Sequence, residues 1–541
     1  MKIFPILMLL TLMFNNVNSQ QEWVVRYNGP GNNTDVAKAI TVDASGNTYV
    51  AGYSLNSGTS YDYVTVKYTA NGNQAWVSAY NGLGNDLDYA TAIAIDNNGN
   101  VYVTGYSFSS SSSYDYATVK YNSSGIQQWA VTYNGFGNAV DLAKTIKVDD
   151  LGNVYVTGQS YGGSSTSYDF ATVKYSSTGN QLWASRYDGS SNGNDGANSM
   201  VIDANYNVYV TGQSVNTGSS QDFETIKYNS AGVEQWSSSY NGSANDIDVS
   251  HCIQVDNSGN VYVTGYSRGN GNYDYVTAKY DSLGVSQWAS RFNGNTNSND
   301  YPTALAVDPN GNVYITGVIN SDANGSAANY ATLKYNPTGT IAWATAYNGP
   351  ANGNDSATAL VLDDSNNVYV TGKSTGQGSG FDYATVKYNN NGAQTNISRF
   401  NGPANGNDVS NSVALDNQRN IYVTGSSSNG FTDDYATIKY FTLSGIQSIG
   451  NVIPSEFKLS QNYPNPFNPS TTIRFSLPVY SDISLKVYDI KGQEISKLAD
   501  GSLQAGNYEV TFDASLIPSG IYFYKLVTPS VTITKKMTLL K

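Results

Sequence analysis

Cysteine, histidine and charge are all scarce in this sequence. Its 541 residues include one cysteine and one histidine, and 13% of them are charged. One cysteine excludes an internal disulfide, and one histidine beside it leaves little for a zinc site or a nucleophile–base pair. The balance of 28 basic against 41 acidic residues gives a net charge of −13, which repels nucleic acid and anionic lipid. The sequence therefore predicts no nucleic-acid partner, no metal site and no cofactor.

Long apolar segments are also missing, with one exception at the start. Lys2 is followed by an apolar run, residues 3–14, and by small polar residues up to Ser19. A charged start, a short apolar middle and small residues before a cleavage point are typical of a secretory signal peptide. The run is too short to span a bilayer. We expect residues 1–19 to be a signal peptide, the mature chain to begin near Gln20, and no transmembrane span.

Repetition is what the sequence has in abundance. A segment of the form Val-Tyr-Val-Thr-Gly occurs eight times at intervals of 52 to 55 residues. Each unit contains four runs with strand-like alternation, separated by turns rich in Gly, Asn and Asp. Four antiparallel strands in about 53 residues are typical of one β-propeller blade. The eight segments end at Gly52, Gly105, Gly158, Gly212, Gly265, Gly317, Gly372 and Gly425.

The phase of the repeats indicates how the ring closes. The mature chain begins with an outer-type strand, residues 22–27, and the last repeat ends after its third strand, residues 435–440. If the first strand completes the last blade, the ring closes and leaves no exposed sheet edge. Residues 446–449 are the alternative fourth strand. Seven outer strands carry a tryptophan, a large residue for which the broad rim of a propeller has room. In the eighth outer strand Asn396 takes its place. The tryptophans are Trp23, Trp76, Trp129, Trp183, Trp236, Trp288 and Trp343.

The composition changes near Pro454. Residues 454–541 are richer in proline and carry 9 basic and 7 acidic residues, which leaves 19 and 34 for the rest of the chain. Alternating apolar residues after 480 suit a small β-sandwich. We therefore predict a β-propeller at 20–445, a linker at 446–458 and a C-terminal domain at 459–541.

Three blocks recur in the repeat units: Trp…Tyr-Asn-Gly, Val-Asp-x-x-Gly-Asn-Val-Tyr-Val-Thr-Gly and Tyr-Asp-Tyr-Ala-Thr-Val-Lys-Tyr. Through these blocks the units, roughly residues 21–445, resemble the SBBP family of secreted β-propeller repeats. That family is named for seven blades, whereas eight units occur here. The resemblance implies the fold and the secreted location, and it implies no specific activity.

The C-terminal residues contain the segments Tyr463-Pro-Asn-Pro-Phe467, Thr471-Thr-Ile-Arg-Phe475, Val487-Tyr-Asp-Ile-Lys-Gly492, Ser519-Gly-Ile-Tyr522 and Lys535-Lys-Met. Through these segments they resemble the type A sorting domain of type IX secretion cargo. This resemblance implies an immunoglobulin-like β-sandwich that the outer-membrane translocon recognises, followed by cleavage or by anchoring to surface polysaccharide. The predicted fold class is thus all-β, an eight-bladed β-propeller of four-stranded blades followed by a small immunoglobulin-like β-sandwich. We expect an extracellular or outer-membrane-surface monomer. The residues that carry the sorting signal are Tyr463, Pro464, Asn465, Pro466, Phe467, Gly520, Tyr522, Lys535 and Lys536.

One recurring aspartate precedes the inner strand of every blade. Eight carboxylates at one face, close to the axis, are candidates to bind a cation or sugar hydroxyls. The alternative is structural, in which each carboxylate accepts turn N–H groups and ties neighbouring blades together. Repetition in every blade favours the structural role. These candidate ligand-binding residues are Asp35, Asp88, Asp141, Asp195, Asp248, Asp300, Asp355 and Asp408.

Two further sets of aspartates recur. The set that begins with Asp43 starts an Asp-x-x-Gly-Asn turn, and calcium is a minor alternative because alternate oxygen ligands are not maintained. The set that begins with Asp62 is followed five residues later by a lysine, Lys67 in the first blade. A buried ammonium needs a carboxylate partner. We therefore predict that these lysines pair with repeat aspartates.

No nucleophilic site is evident. His251 and Cys252 are adjacent on an inner strand, so their side chains point to opposite faces and do not form a catalytic pair. No blade shows an extra acid cluster of the kind that a grafted catalytic site needs. The sequence favours a non-enzymatic binding or adhesion protein for glycan or protein, with surface polysaccharide as a candidate partner. The alternative is a surface polysaccharide hydrolase or lyase.

Overall fold

A computed structural model of the chain describes residues 20–541 except 57, 59, 164–166, 270, 295, 321–326, 442–445, 450–452, 480, 504 and 516. The predicted signal peptide, residues 1–19, lies outside the described residues. The described residues form forty strands in ten four-stranded sheets. None of them belongs to a helix that is long and apolar enough to cross a membrane. The all-β prediction is confirmed.

Eight of the sheets are the blades of the propeller. The inner strands are β2 (Asp35–Val42), β6 (Asp88–Ile95), β10 (Asp141–Val148), β14 (Gly196–Ile202), β18 (Asp248–Val255), β22 (Tyr301–Val307), β26 (Asp355–Leu362) and β30 (Asp408–Leu415). The second strands are β3 (Thr48–Leu55), β7 (Val101–Ser109), β11 (Val154–Gly163), β15 (Val208–Val215), β19 (Val261–Arg268), β23 (Val313–Asn320), β27 (Val368–Thr375) and β31 (Ile421–Ser428).

The outer half of each blade repeats in the same way. The third strands are β4 (Tyr61–Tyr68), β8 (Ser113–Tyr121), β12 (Ser167–Tyr175), β16 (Gln221–Tyr228), β20 (Tyr273–Tyr280), β24 (Ala328–Tyr335), β28 (Phe381–Tyr388) and β32 (Asp433–Phe441). The outer strands are β5 (Gln74–Tyr80), β9 (Gln127–Tyr133), β13 (Gln181–Tyr187), β17 (Glu234–Tyr240), β21 (Ser286–Phe292), β25 (Ile341–Tyr347), β29 (Gln394–Phe400) and, for the eighth blade, β1 (Gln20–Tyr27).

The N-terminal strand closes the ring, as the phase of the repeats predicts. The eighth sheet has the order β1-β32-β31-β30, so the first described strand is the outer strand of the last blade. Arg26 of β1 also binds Asp434 of β32, with 3.0 Å between Nη2 and Oδ2. Between the last and first inner strands, the Asn411 side-chain amide donates to the Ala37 carbonyl at 2.7 Å. First and last blades are therefore joined both at the rim and near the axis.

Each inner strand carries a β-bulge, and several bulge residues bridge to the next blade. Thr91, which lies between Ala90 and Ala92 at the bulge of β6, donates to the Ala143 carbonyl of β10 at 3.1 Å. Thr358 donates in the same way to Ser410. A bulge re-aims one side chain without ending the strand, and here the re-aimed side chain reaches the neighbouring inner strand.

The two remaining sheets belong to the C-terminal residues and form a second compact unit. One sheet has the order β33-β38-β35-β34 and the other β37-β36-β39-β40. The core of this C-terminal unit contains Phe467, Ile473, Leu485 and Tyr524, all nearly inaccessible to solvent. The strands are β33 (Ile446–Ser448), β34 (Lys458–Leu459), β35 (Ser470–Leu477), β36 (Ser481–Tyr488), β37 (Glu494–Leu503), β38 (Gly506–Asp513), β39 (Gly520–Val527) and β40 (Thr532–Leu539).

The segment predicted to be a linker, residues 446–458, contains strand residues. Ile446–Ser448 pairs with Tyr508–Val510 of β38, so this segment extends a C-terminal sheet and is not the fourth strand of the last blade. Lys458 pairs with Ser476 of β35. The alternative closure through residues 446–449 is thereby corrected: the edge of β32 is already occupied by β1.

Candidate functional site

The eight aspartates that precede the inner strands are buried, with at most 1% of each residue exposed. Every one accepts a hydrogen bond from the backbone N–H of the glycine six residues before it, at 2.5 to 2.7 Å, as Gly29 donates to Asp35. The second carboxylate oxygen of Asp141 accepts the Tyr161 N–H at 3.0 Å. These contacts are those of the structural role, in which each carboxylate orders the loop between two blades.

Burial makes the charged form of these aspartates costly. It raises the pKa of Asp88 to about 6, against the opposing effect of hydrogen bonds from Ser107 and the Gly82 N–H. Burial raises the pKa of Asp300 to about 6 as well. A carboxylate that accepts N–H groups keeps its charge more readily than one that does not, so the loop glycines offset part of the desolvation.

The second set of aspartates starts tight turns. The Asp43 carboxylate accepts the N–H groups of Ser45 and Asn47, the side-chain amide of Asn47 and the hydroxyl of Tyr49, all within 3.0 Å. Gly46 follows at φ +78°, as this turn requires. Burial acts to raise the pKa of Asp43, but the hydrogen bonds led by Asn47 outweigh it, and the pKa is lowered. Both oxygens are therefore engaged by donors of the turn itself.

The repeat lysines do not pair with the third set of aspartates. Asp62 and Lys67 are five residues apart on one strand, so their side chains point to opposite faces of the sheet. In all eight blades the ammonium lies 4.8 to 5.5 Å from the centre of the second-strand tyrosine ring, as Lys67 lies over Tyr49. That tyrosine donates to the turn aspartate. In three blades the charge of the turn aspartate opposes the lowering of the lysine pKa by burial, as Asp149 does for Lys174. Lys439 also pairs with Glu22 at 3.0 Å.

Arginine is the partner of the third-set aspartates in four blades. An outer-strand guanidinium lies 2.6 to 3.0 Å from the carboxylate. The pairs are Arg26–Asp434, Arg186–Asp169, Arg291–Asp274 and Arg399–Asp382. In these four blades the cation paired with the third-set aspartate is therefore arginine and not lysine.

One blade junction does break the repeat with extra acids, contrary to the sequence-based expectation. Asp188 stands where the other loops have asparagine, and carboxylate oxygens of Asp169, Asp188 and Asp195 lie within 4.8 Å of one another. Arg186 neutralises part of this charge through Asp169, at 2.6 Å. Burial, followed by the charges of Asp169 and Asp195, raises the pKa of Asp188.

Glu224 is the second acid that breaks the pattern. It replaces the alanine or valine of the other third strands, and 1% of it is exposed. The Ser239 hydroxyl donates to its carboxylate at 2.5 Å. Burial raises the pKa of Glu224 to about 7, against hydrogen bonds from Ser239, Asn216 and Tyr187 that lower it. This carboxyl sits in the sheet, out of reach of solvent.

Half-buried tyrosines form the most distinctive feature of the upper face, which we define as the face where the inner strands begin. Tyr53 and Tyr61 of the first blade meet Tyr89 of the second. Ring centroids are 5.1 Å apart for Tyr53–Tyr61, 4.9 Å for Tyr53–Tyr89 and 5.5 Å for Tyr61–Tyr89. Tyr106 extends the cluster at 5.3 Å from Tyr89. We call Tyr53, Tyr61 and Tyr89 the first triad.

A second triad of the same geometry lies at the junction of the fifth and sixth blades. Tyr266 is 5.1 Å from both Tyr273 and Tyr301, and Tyr273 is 5.9 Å from Tyr301. The ring planes agree as well: the angle is 88° for Tyr266–Tyr301 and 83° for Tyr53–Tyr89. Five of the six other junctions lack at least two of the three tyrosines, and the junction of the second and third blades has Tyr106 and Tyr114 but Leu142 at the third position.

The hydroxyls of the triads differ from those of the packing tyrosines. Tyr63 and Tyr116, which pack between blades, each donate to a carbonyl of the next blade at 3.2 Å. None of the six triad hydroxyls forms a hydrogen bond with a described residue. Burial raises the pKa of Tyr89 to about 12, so that hydroxyl stays protonated at neutral pH. Each triad thus offers aromatic carbon and hydroxyls able to donate and accept.

Cations border both triads. Lys38 lies 5.6 Å from the Tyr53 ring centre, and the Arg268 guanidinium lies 5.9 Å from that of Tyr273. His251 lies 5.4 Å from Tyr266, and burial lowers its pKa. Cys252 points away and donates to the Thr303 carbonyl at 3.3 Å. Their opposite directions agree with the prediction that these two residues are not a catalytic pair.

The triads were not predicted from the sequence. The signal that finds them is a comparison of one inner-strand position across the repeats. Only Tyr89 and Tyr301 are aromatic there; the other blades have Val36, Leu142, Gly196, Val249, Ser356 and Val409.

The predicted sorting-signal residues lie on three parts of the C-terminal unit. Phe467 is buried, and its N–H donates to the Thr538 carbonyl at 3.0 Å, so the proline-rich segment pairs with the edge of β40. Asn465 accepts the Thr538 N–H at 2.9 Å. Tyr463 is 82% exposed. Gly520 and Tyr522 lie on β39, and Lys535 and Lys536 lie on β40, where Lys536 is exposed.

Comparison with known families confirms both resemblances. Residues 461–539 match the secretion system C-terminal sorting domain. Residues 22–58, 78–110, 287–323 and 402–432 match the beta-propeller repeat. The sorting domain marks the chain for export to the cell surface or beyond it and implies an interaction with the type IX secretion system. No curated protein matches the chain.

Solved structures with a similar fold share little sequence with this chain. PorZ of Porphyromonas gingivalis, a surface component of the type-IX secretion system, is 14% identical over 93% of this chain and 74% of its own, with a TM-score of 0.38. The polysaccharide lyase Uly1 is 12% identical over 74% of this chain and 89% of its own, with a TM-score of 0.40. The β-propeller domain of the Trilobed protease from Pyrococcus furiosus is 7% identical over 64% of this chain and 93% of its own, with a TM-score of 0.38.

Proposed function

We propose that this chain, which joins SBBP-type propeller repeats to a type IX sorting domain, is an exported glycan-binding protein that holds a neutral polysaccharide at its upper face without cleaving it. The observation that carries the proposal is the pair of tyrosine triads. Their rings are half-buried and their hydroxyls have no partner among the described residues. Aromatic carbon with a few polar groups at fixed positions is typical of small-molecule and sugar sites.

Charge favours a neutral ligand. The chain outside residues 454–541 carries 34 acidic and 19 basic residues, so a polyanion is repelled over long range. Asp88 and Asp300, which precede Tyr89 and Tyr301, are buried, and the cations Lys38 and Arg268 lie over tyrosine rings. A neutral sugar chain needs no counter-charge and uses hydroxyls of the kind that the triads offer.

A hydrolase or lyase needs an acid that reaches its substrate. Glu224 has a pKa suited to acid catalysis, but it is 1% exposed. Asp195 of the acid cluster is equally buried, and its oxygens accept the N–H groups of Gly189 and Val215. The burial of these two acids supports binding without cleavage.

The test is binding of the purified propeller-containing chain to a neutral glycan array, followed by an assay for new reducing ends on each hit. We expect retained hits with no release of reducing ends. The double variant Tyr89→Ala/Tyr301→Ala removes one ring from each triad and is expected to lower binding at least tenfold. Tyr168→Ala is the matched control, because Tyr168 occupies the position of Tyr61 in a blade junction that lacks the other two tyrosines.

Two results contradict the proposal. If the double variant binds like the wild type while Tyr168→Ala also binds normally, the triads are not the site. If hits are consumed and yield new reducing ends, the protein is an enzyme. Thermal unfolding of each variant shows whether a loss of binding reflects a loss of folding.

A further inference from the structure

The two triads lie on opposite sides of the propeller axis. The first lies at the junction of the first and second blades, and the second at that of the fifth and sixth, four blades further along the ring of eight. In a closed eight-bladed ring, a displacement of four blades is a half turn. Both triads begin at the same end of their strands, so they are on the same face.

Equal geometry implies an equal ligand. The three centroid distances of the first triad, 5.1, 4.9 and 5.5 Å, correspond to 5.1, 5.1 and 5.9 Å in the second. Blade packing does not require this aromatic set, because the six other junctions pack without it. The same chemical unit therefore fits both places.

A half turn also reverses direction. A polysaccharide has a reducing and a non-reducing end, and a straight chain that crosses the face runs toward the axis at one site and away from it at the other. Two equivalent sites related by a half turn would then meet the chain with opposite polarity. Two separate chains, antiparallel to each other, present the same polarity to both sites.

We infer that the protein is bivalent: each triad binds its own segment of neutral glycan, and the propeller cross-links two chains. This inference rests on the proposed function and adds the number and independence of the sites. Neutral linear β-glucose oligomers are the ligand class that suits it, since their flat rings expose C–H bonds to aromatic carbon and hydroxyls at the edge. Each site alone is weak, and joint binding of a long polymer raises the apparent affinity through effective concentration.

The experiment compares a short and a long probe. Cellohexaose is titrated calorimetrically into the full mature chain and into Tyr89→Ala and Tyr301→Ala, with Tyr168→Ala as control. We expect two equivalents bound by the wild type and the control, and one by each single variant at an unchanged Kd. Tyr61→Ser and Tyr273→Ser repeat the test at another ring of each triad if either alanine variant unfolds.

The long probe tests cross-linking directly. Soluble mixed-linkage β-glucan is mixed with each protein, and turbidity is followed as protein is added. We expect the wild type to precipitate the polymer and each single variant to bind it without precipitation, with apparent affinity at least tenfold lower.

The outcomes separate this inference from the proposed function. One equivalent of cellohexaose in the wild type, lost in either single variant, means one chain spans both triads and overturns bivalent cross-linking while binding stands. Two equivalents in every single variant place binding outside the triads and overturn both. No binding of either probe by the wild type also overturns both.

Discussion

The indole of Trp76 in the first blade lies against Gly125 in the outer turn of the second. A Cβ built on Gly125 would lie 2.6 Å from the ring, and Gly125 has φ +80°. The Trp76 N–H donates to the Ser123 carbonyl of the same turn at 3.1 Å. The same contact recurs around the ring, as between Trp183 and Gly232. In these contacts the rim tryptophan packs its blade against the next one at a glycine of the outer turn, where a side chain would clash with the indole.

Replacing that glycine is expected to be costly. Gly125→Ala adds both an unfavourable backbone conformation and a clash with the ring, so we expect a loss of about 2–4 kcal/mol in the free energy of unfolding. Gly218→Ala is the control, because Gly218 has φ +89° with nothing within 4 Å of an added Cβ, and it should cost about 1 kcal/mol. Chemical denaturation measures both. Equal losses would show that the rim contact contributes nothing.

Ring closure through the first strand is tested at Arg26. Its guanidinium contacts Asp434 at 3.0 Å and the Ser427 carbonyl at 2.7 Å, and 23% of the side chain is exposed. Arg26→Ala leaves Asp434 without its cation, and we expect a loss of about 2–3 kcal/mol. Arg268→Ala breaks a more exposed pair with Asp246, at 42% and 36% exposure, and should cost less than about 1 kcal/mol. A neutral Arg26→Ala would contradict closure by this strand.

Glu224 makes stability depend on pH. Its folded-state pKa of about 7 lies above the ordinary value of 4.5, so its contribution is fully present below pH 4.5 and is lost as pH rises through 7. Glu224→Gln removes this dependence. Relative to the wild type it should gain on the order of 2–3 kcal/mol between pH 5 and pH 8. Denaturant midpoints at both pH values measure it.

Glu234→Gln, on the neighbouring strand and exposed, is the matched control for that measurement. Its free energy of unfolding should change between the two pH values as much as that of the wild type does. If the free energy of unfolding of Glu224→Gln also changes with pH as that of the wild type does, burial does not hold the Glu224 carboxyl neutral.

The sorting segment combines a folding residue with an exposed one. Phe467 is 2% exposed and Tyr463 is 82% exposed. Phe467→Ala should destabilise the C-terminal unit by about 3–4 kcal/mol and abolish export. Tyr463→Ala should leave its unfolding unchanged and still reduce export, measured as the fraction of chain outside the cell in a type IX-competent bacterium. Ile490→Ala, at a 71% exposed position, is the control; equal export by Tyr463→Ala and Ile490→Ala would assign Tyr463 no role in recognition.

The sequence repeat predicted the fold because every blade is built from the same four antiparallel strands. The spacing of Val-Tyr-Val-Thr-Gly sets the blades, and the phase of Trp23 relative to Tyr440 sets the closure. The tyrosine ring beneath Lys67 was not predicted, because Tyr49 and Lys67 become neighbours only when the second and third strands of the blade pair. The acid cluster was missed because Asp169 and Asp188 meet only when an outer strand folds back beside the third strand. The triads were missed because Tyr89 belongs to the next blade, and only the junction brings it to Tyr53.

The central claim is that glycan covers the triads of the upper face, and hydroxyl-radical footprinting of tyrosine oxidation measures this most directly. Mixed-linkage β-glucan should protect Tyr53, Tyr61, Tyr89, Tyr266, Tyr273 and Tyr301 and leave Tyr168 as reactive as in the free protein. Unchanged oxidation of the triads while the polymer is bound, or equal protection of Tyr168, would contradict the claim.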